Sequence, residues 1–121
     1  MAIVVAGDEE IRVLLRGLLR LHRVRVDGEA DGATEGVRLL HDRHPTLLVI
    51  DQHLREGRAV DLVTAARRAL PSCRIVLIVP AARPPPTLDL AAAPDVVLQR
   101  PFRIREFADA IGPPPTTGPR E

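Results

Sequence analysis

Short apolar runs recur along the chain, separated by longer stretches with helical spacing, and this alternation limits the folds open to it. Residues 2–6 read AIVVA and stop at Gly7; residues 46–51 read TLLVID; residues 73–80 read CRIVLIVP; residues 95–99 read DVVLQ. Such runs, closed by Gly, Pro or Asp, predict buried strands. RVRV at 23–26 alternates and predicts another strand, second in order. Between them, DEEIRVLLRGLLRLH at 8–22 puts Ile11, Leu14, Leu15, Leu18 and Leu19 at helical spacing. Asp8, Glu9 and Glu10 stand in its first turn, where the helix dipole favours acid. DGATEGVRLLHDRH at 31–44 predicts a second helix with Ala33, Val37 and Leu40 inward, and AVDLVTAARRALP at 59–71 a third, stopped by Pro71. RIREFADAIG at 103–112 predicts a last, amphipathic helix closed by Gly112.

Strands that are apolar throughout and alternate with helices predict a parallel sheet covered on both faces. Five of them in 121 residues predict a flavodoxin-like α/β fold: a doubly wound five-stranded parallel sheet, order 2-1-3-4-5, with helices on both faces. The site of such a sheet lies at the carboxyl ends of strands 1 and 3, which puts Asp51, the end of the third strand, at the switch point. Two segments break the pattern. PAARPPPTLDLAAAP at 80–94 is due to hold a fourth of five helices, but its proline run and Pro94 leave room for a short or frayed one. GPPPTTGPRE at 112–121 has no apolar periodicity. The expected organisation is one domain over 1–112 and a Pro-rich flexible tail or linker over 113–121, where an output domain of a longer parent would join.

Composition removes several classes of function. The net charge is +1 with both signs interspersed, and the chain has two Phe, no Trp and no Tyr. A nucleic-acid-binding module would show a basic patch and stacking aromatics. The single cysteine, Cys73, rules out an internal disulfide and a Cys-rich metal site. No apolar run approaches the ~20 residues of a membrane span, and the first residues lack the basic region of a signal peptide, so a cytoplasmic location is expected. No glycine-rich phosphate loop and no Gly-x-Ser-x-Gly elbow is present, and the chain is expected not to be an enzyme.

Three stretches, IVVAGDEEIRVLL, HPTLLVIDQHLREG and DVVLQRPF, resemble the receiver domains (CheY-like) of two-component response regulators, and the resemblance runs from residue 2 to about 112. It implies that Asp51 stands at the position that accepts a phosphoryl group from a histidine kinase. It also implies an acidic pair for Mg²⁺ after strand 1, a Ser or Thr ending strand 4, an aromatic switch on strand 5, and a Lys before a Pro after strand 5.

The chain departs from that pattern at most of these places. The metal-acid positions fall on Ala6 and Gly7, with Asp8 one residue late, where a helix N-cap is its expected role. Mg²⁺ needs an octahedral set of hard oxygens and usually one or two carboxylates, so weak or absent Mg²⁺ binding and no cofactor are expected. The hydroxyl switch position falls on Val79, followed by Pro80, and the aromatic one on Val97. The basic position that senses phosphate falls on Arg100, ahead of Pro101 and Phe102. The chain contains no Lys at all, so this exchange weighs less than Ala6 and Gly7 do. Arg100 is expected to pair with Asp51 and neutralise part of its charge. After Asp51, Arg55 stands where the family has Pro and Ala59 where it has Gly, with Gly57 able to supply the turn.

DQHLREG also touches the Asp-x-His-x-x-Gly pattern of cobalamin-binding domains, but Glu56 occupies its Gly position and the motif follows the wrong strand. His53 reads as a loop residue over the site. His22, His41 and His44 fall near helix ends, where the dipole suits them.

The reading is an atypical receiver domain of two-component (phosphorelay) signal transduction. It is expected to act by protein–protein interaction, with weak or no Mg²⁺-dependent phosphorylation at Asp51. The alternative is a ligand-gated pseudo-receiver that binds a small molecule or anion at the strand-end pocket. A conventional phosphoacceptor switch ranks below both. The partners implied are a sensor kinase, an output domain or a regulator, and a homodimer through the face of the fourth helix, fifth strand and fifth helix. No nucleic acid and no membrane are expected. Ile104 and Phe107 are candidate partner contacts if the sheet does not cover them.

Overall fold

A computed structural model describes residues 1–81 and 94–112. Its elements are β1 (Ala2–Val5), α1 (Glu9–Leu21), β2 (Val26–Ala30), α2 (Ala33–Arg43), β3 (Leu47–Asp51), α3 (Ala59–Ala69), β4 (Arg74–Val79), β5 (Val96–Gln99) and α4 (Ile104–Ile111). The strands form one parallel sheet in the order β2-β1-β3-β4-β5, as the strand pattern predicts. The expected short helix between β4 and β5 and the expected tail at 113–121 lie outside the described residues.

β1 and β3 are buried along their whole length, and β4 at every position but Arg74, because each face of the sheet is packed. On one face Ile3, Val5, Leu48, Ile50, Ile75 and Leu77 meet Leu39 and Leu40 of α2 and Leu62, Val63 and Ala66 of α3. On the other, Val4, Val49, Val76 and Ile78 meet Leu15, Leu18 and Leu19 of α1 and Phe107, Ala110 and Ile111 of α4. Successive residues of each strand thus feed opposite cores, which is the period-two rule of a pleated strand applied on both sides.

Two sequence expectations need correction. The second strand is not RVRV at 23–26 but VDGEA at 26–30; Arg23 has φ +62°, a left-handed turn that ends the α1 connection. As the sheet edge, β2 carries acids that an apolar pattern does not reveal. Gly28 lets it close on β1, since a Cβ there would lie 3.1 Å from Ile3 Cδ1 and 3.2 Å from Leu39 Cδ2. The second concerns the apolar set at helical spacing in α1: it is not one buried face, since Leu14 is 51% exposed and α1 buries only the narrower stripe Leu15, Leu18 and Leu19.

β5 is the other edge. Its start is pinned by the Asp95 side chain, which accepts from the Ile75 N–H at 2.6 Å and from Arg67 Nη2 at 2.9 Å. The Asp95 N–H donates to Ile75 O at 2.9 Å, and the Arg100 N–H donates to Val79 O at 2.8 Å. These bonds fix both ends of β5 and carry Arg100 to the carboxyl end of the sheet.

Candidate functional site

Asp51 is the last residue of β3 and the only buried charged residue among the described ones, at 1% exposure. The Gln52 N–H donates to Ile78 O at 2.7 Å, so β3 and β4 stay paired past the carboxylate. Arg100, just after β5 and joined to Pro101 by a cis peptide, brings Nη2 to 3.6 Å from Asp51 Oδ1. Asp51 Oδ1 and Arg100 Nε are buried and have no hydrogen-bond partner among the described residues. Burial pushes the Asp51 carboxyl above the usual Asp range. Arg100, His53 and the Gln52 N–H oppose that shift, and Asp8 adds to it.

The neighbouring end of β1 is closed by backbone and guanidinium groups. Ala6 is fully buried. The Gly7 N–H donates to His53 O at 2.9 Å. A Cβ at Gly7 would lie 3.0 Å from both Arg55 N and His53 O, so the β3–α3 loop rests against a position that only glycine fits without movement. The carbonyl of Ala6 accepts from Arg12 Nη1 at 2.7 Å, and that of Gly7 from Arg55 Nε at 3.4 Å. Asp8 is exposed and caps α1, accepting from the Glu10 N–H at 2.9 Å, the N-cap role its position suggests.

These residues do not fit a divalent cation. Two side chains that would bring oxygens are Ala and Gly, and Asp8 is committed to the helix end. Among the described residues no group of three or more His, Cys, Asp or Glu side chains is placed to hold a metal ion. Val79 packs in the α2/α3 core at 1% exposure. Val97 lies mid-β5, exposed, opposite Leu77. Neither of the positions expected to act as a switch offers a hydroxyl or a ring.

The capping role of Glu56 is missed by sequence reasoning. α2 begins at Gly32, which has no side chain to cap it. Glu56 does so from the β3–α3 loop: its carboxylate accepts from Thr34 N at 2.7 Å and Thr34 Oγ1 at 3.1 Å, while its carbonyl accepts from the Ala33 N–H at 3.0 Å. Gly57, at φ +76°, makes the turn that delivers it, and Ala33 occupies the space a side chain there would need. The signal was indirect, a helix start lacking its own cap. His53 is exposed in the same loop. His22 Nδ1 lies 2.9 Å from Leu18 O at the end of α1, and His44 is the left-handed C-cap of α2. Beside Arg100, on the α1 side, lies an open cleft of about 590 Å³ lined mainly by Leu14, Leu18, Pro80, Phe102 and Ile104.

No protein-family model and no curated protein matches the sequence. Solved structures do match. The chain superimposes on the signal receiver domain of the putative response regulator NarL from Mycobacterium tuberculosis with a TM-score of 0.78 at 22% identity, covering 91% of this chain and 90% of that one. The receiver domain (CheY-like) from Methanospirillum hungatei JF-1 gives 0.76 at 20% identity, with 88% and 85% covered. The signal receiver domain of an HD domain-containing protein from Pseudomonas fluorescens Pf-5 gives 0.74 at 24% identity, with 90% and 88% covered. The chain has the receiver-domain fold. Within that fold Asp51 ends β3 and Arg100 follows β5, so the pair occupies the carboxyl edge of the receiver sheet. No described helix is long and apolar enough to cross a membrane.

Proposed function

We propose that the chain is an atypical receiver domain of two-component signal transduction, a signalling module that works through protein contacts and not through Mg²⁺-dependent phosphorylation at Asp51. One observation carries the reading: the carboxylate at the phosphoacceptor position is buried against an internal cation, beside a β1 end built from Ala6 and Gly7. Phosphoryl transfer to a carboxylate requires neutralisation of the charge that spreads over the transferring group. Arg100 supplies one cation, already engaged with the acceptor itself. The partners that suit this reading are a sensor kinase, an output domain or a regulator.

Intact-mass and amide NMR measurements with Mg²⁺ plus acetyl phosphate, and separately with beryllofluoride, test it on the wild type and Asp51→Asn. The expected result is no stoichiometric phosphoryl mass and no shifts centred on Asp51. A mass gain that disappears in Asp51→Asn would make the chain a working phosphoacceptor.

The cleft beside Arg100 favours a second reading, a ligand-gated pseudo-receiver. Its walls are apolar and, among the described residues, Arg100 is the one charged residue lining it, a combination that suits a small apolar acid. A thermal-shift screen of carboxylates separates the two readings, because a ligand that binds only the folded chain raises Tm, and the raise must vanish in Arg100→Ala.

A further inference from the structure

We propose that two copies of this chain associate through α1, packed antiparallel about a two-fold axis at Gly17. The inference does not depend on the chemistry at Asp51. α1 buries Leu15, Leu18 and Leu19 in its own core, yet the opposite side is also apolar: Val13 is 47% exposed, Leu14 51% and Leu21 64%. With Glu10, Gly17 and Arg20 these residues fall at spacings of three and four, one continuous exposed stripe. A helix apolar on both sides is normally covered on both sides. Ile104, 56% exposed at the start of α4, extends the patch and shares the cleft edge with Leu14.

Gly17 is the second observation. It sits in the interior of an exposed helix, where glycine costs about 1 kcal/mol relative to alanine. A Cβ there would meet nothing within 4 Å, so the chain's own packing does not call for glycine. A glycine at the centre of an apolar stripe lets a second backbone approach closely.

Charge then selects the occupant. Asp8, Glu9 and Glu10 stand exposed at one end of α1, and Arg20, Arg23 and Arg25 at the other. Antiparallel pairing about Gly17 sets Val13 opposite Leu21 of the second copy and Glu10 opposite its Val24, within reach of its Arg20 and Arg23. Parallel pairing would set like charges together. The surface is therefore self-complementary under a two-fold axis, the condition for an isologous dimer. This face differs from the fourth-helix, fifth-strand, fifth-helix face expected from the sequence. Phe107, one candidate contact of that expectation, is fully buried.

Sedimentation equilibrium of the full chain, combined with oxidative cross-linking, tests the proposal. The wild type should dimerise, and Val13→Glu/Leu21→Glu should weaken association by at least about tenfold, with an unchanged melting curve at concentrations low enough that the wild type is monomeric. Gly17→Cys should cross-link to itself. Glu10→Cys should not, because seven residues on each side of the axis separate the two copies by about 21 Å along the helices. Native Cys73 is buried and gives no background. A wild type that stays monomeric to millimolar concentration overturns the proposal. So does a dimer indifferent to the two glutamates, or one that cross-links at Glu10→Cys as readily as at Gly17→Cys.

Discussion

Arg100 Nη2 stands 3.6 Å from Asp51 Oδ1, an ion-pair distance too long for a good hydrogen bond. The pair is therefore held by charge, and the carboxylate oxygen stays unsatisfied in a buried place. Breaking such a pair from the cation side leaves a buried acceptor alone, at a cost of about 1–3 kcal/mol. Arg100→Ala should lose that much at neutral pH and lose progressively less as acid protonates Asp51. Chemical denaturation at pH 7 and at pH 4 checks both parts.

Breaking it from the anion side has the opposite sign. Burial holds the folded Asp51 carboxyl above its ordinary value of 3.8, so the unfolded chain releases this proton first as pH rises. The stability Asp51 contributes is fullest below the unfolded pKa and is lost as pH climbs through the folded one. Asp51→Asn should melt above the wild type at neutral pH, with the gap closing as pH falls to the ordinary Asp range. A Tm series against pH reads this directly.

Asp95 shows the reverse linkage. Partial burial would raise its carboxyl, but the Ile75 N–H and Arg67 outweigh that and hold it below the usual Asp value. Its contribution is present above the unfolded pKa and is lost as acid passes through the folded one. Asp95→Asn should destabilise the chain at neutral pH, with little difference left in strong acid, and hydrogen exchange should quicken first in β5.

Gly7→Asp tests whether an acid fits where receivers carry one. Its Cβ would press on the backbone of His53 and Arg55, atoms that do not swing aside. Overpacking of this kind costs about 1–3 kcal/mol. The expected variant is less stable, with amide shifts concentrated over residues 53–55, and Mg²⁺ should not recover the lost stability.

Glu56→Ala removes the cap of α2 from a different element. Loss of an N-cap costs about 0.5–2 kcal/mol. The Thr34 amide should then exchange faster with solvent, while α3 is unaffected.

Legibility followed the density of apolar residues. β1, β3 and β4 are apolar at nearly every position, and with the helices between them they predict the sheet order and the place of Asp51. β2 escaped because an edge strand written Val-Asp-Gly-Glu-Ala has no apolar period to detect. Leu14 shares its helical spacing with the buried residues of α1 yet is exposed, because spacing alone does not tell a buried flank from an exposed one. At the site, Ala6, Gly7, Val79 and Arg100 were readable as departures from the pattern of the resemblance, which also puts Arg100 and Asp51 at one site although β4 separates their strands. The loop leaning on Gly7 and the cap from Glu56 were not readable, because both join residues more than 20 positions apart, the first through backbone atoms and the second through a carboxylate that the Gly57 turn delivers.

The contact between Gly7 and the β3–α3 loop also imposes an order on sequence change. An acid introduced at position 7 meets the backbone of residues 53–55 before it meets any ligand. A path toward a metal-binding version of this chain must therefore open the loop first, through changes that carry no benefit of their own while Gly7 remains. In the other order, the acid at position 7 presses on the loop backbone before any metal site is complete. The present arrangement behaves as a local ratchet, easy to keep and difficult to leave one substitution at a time.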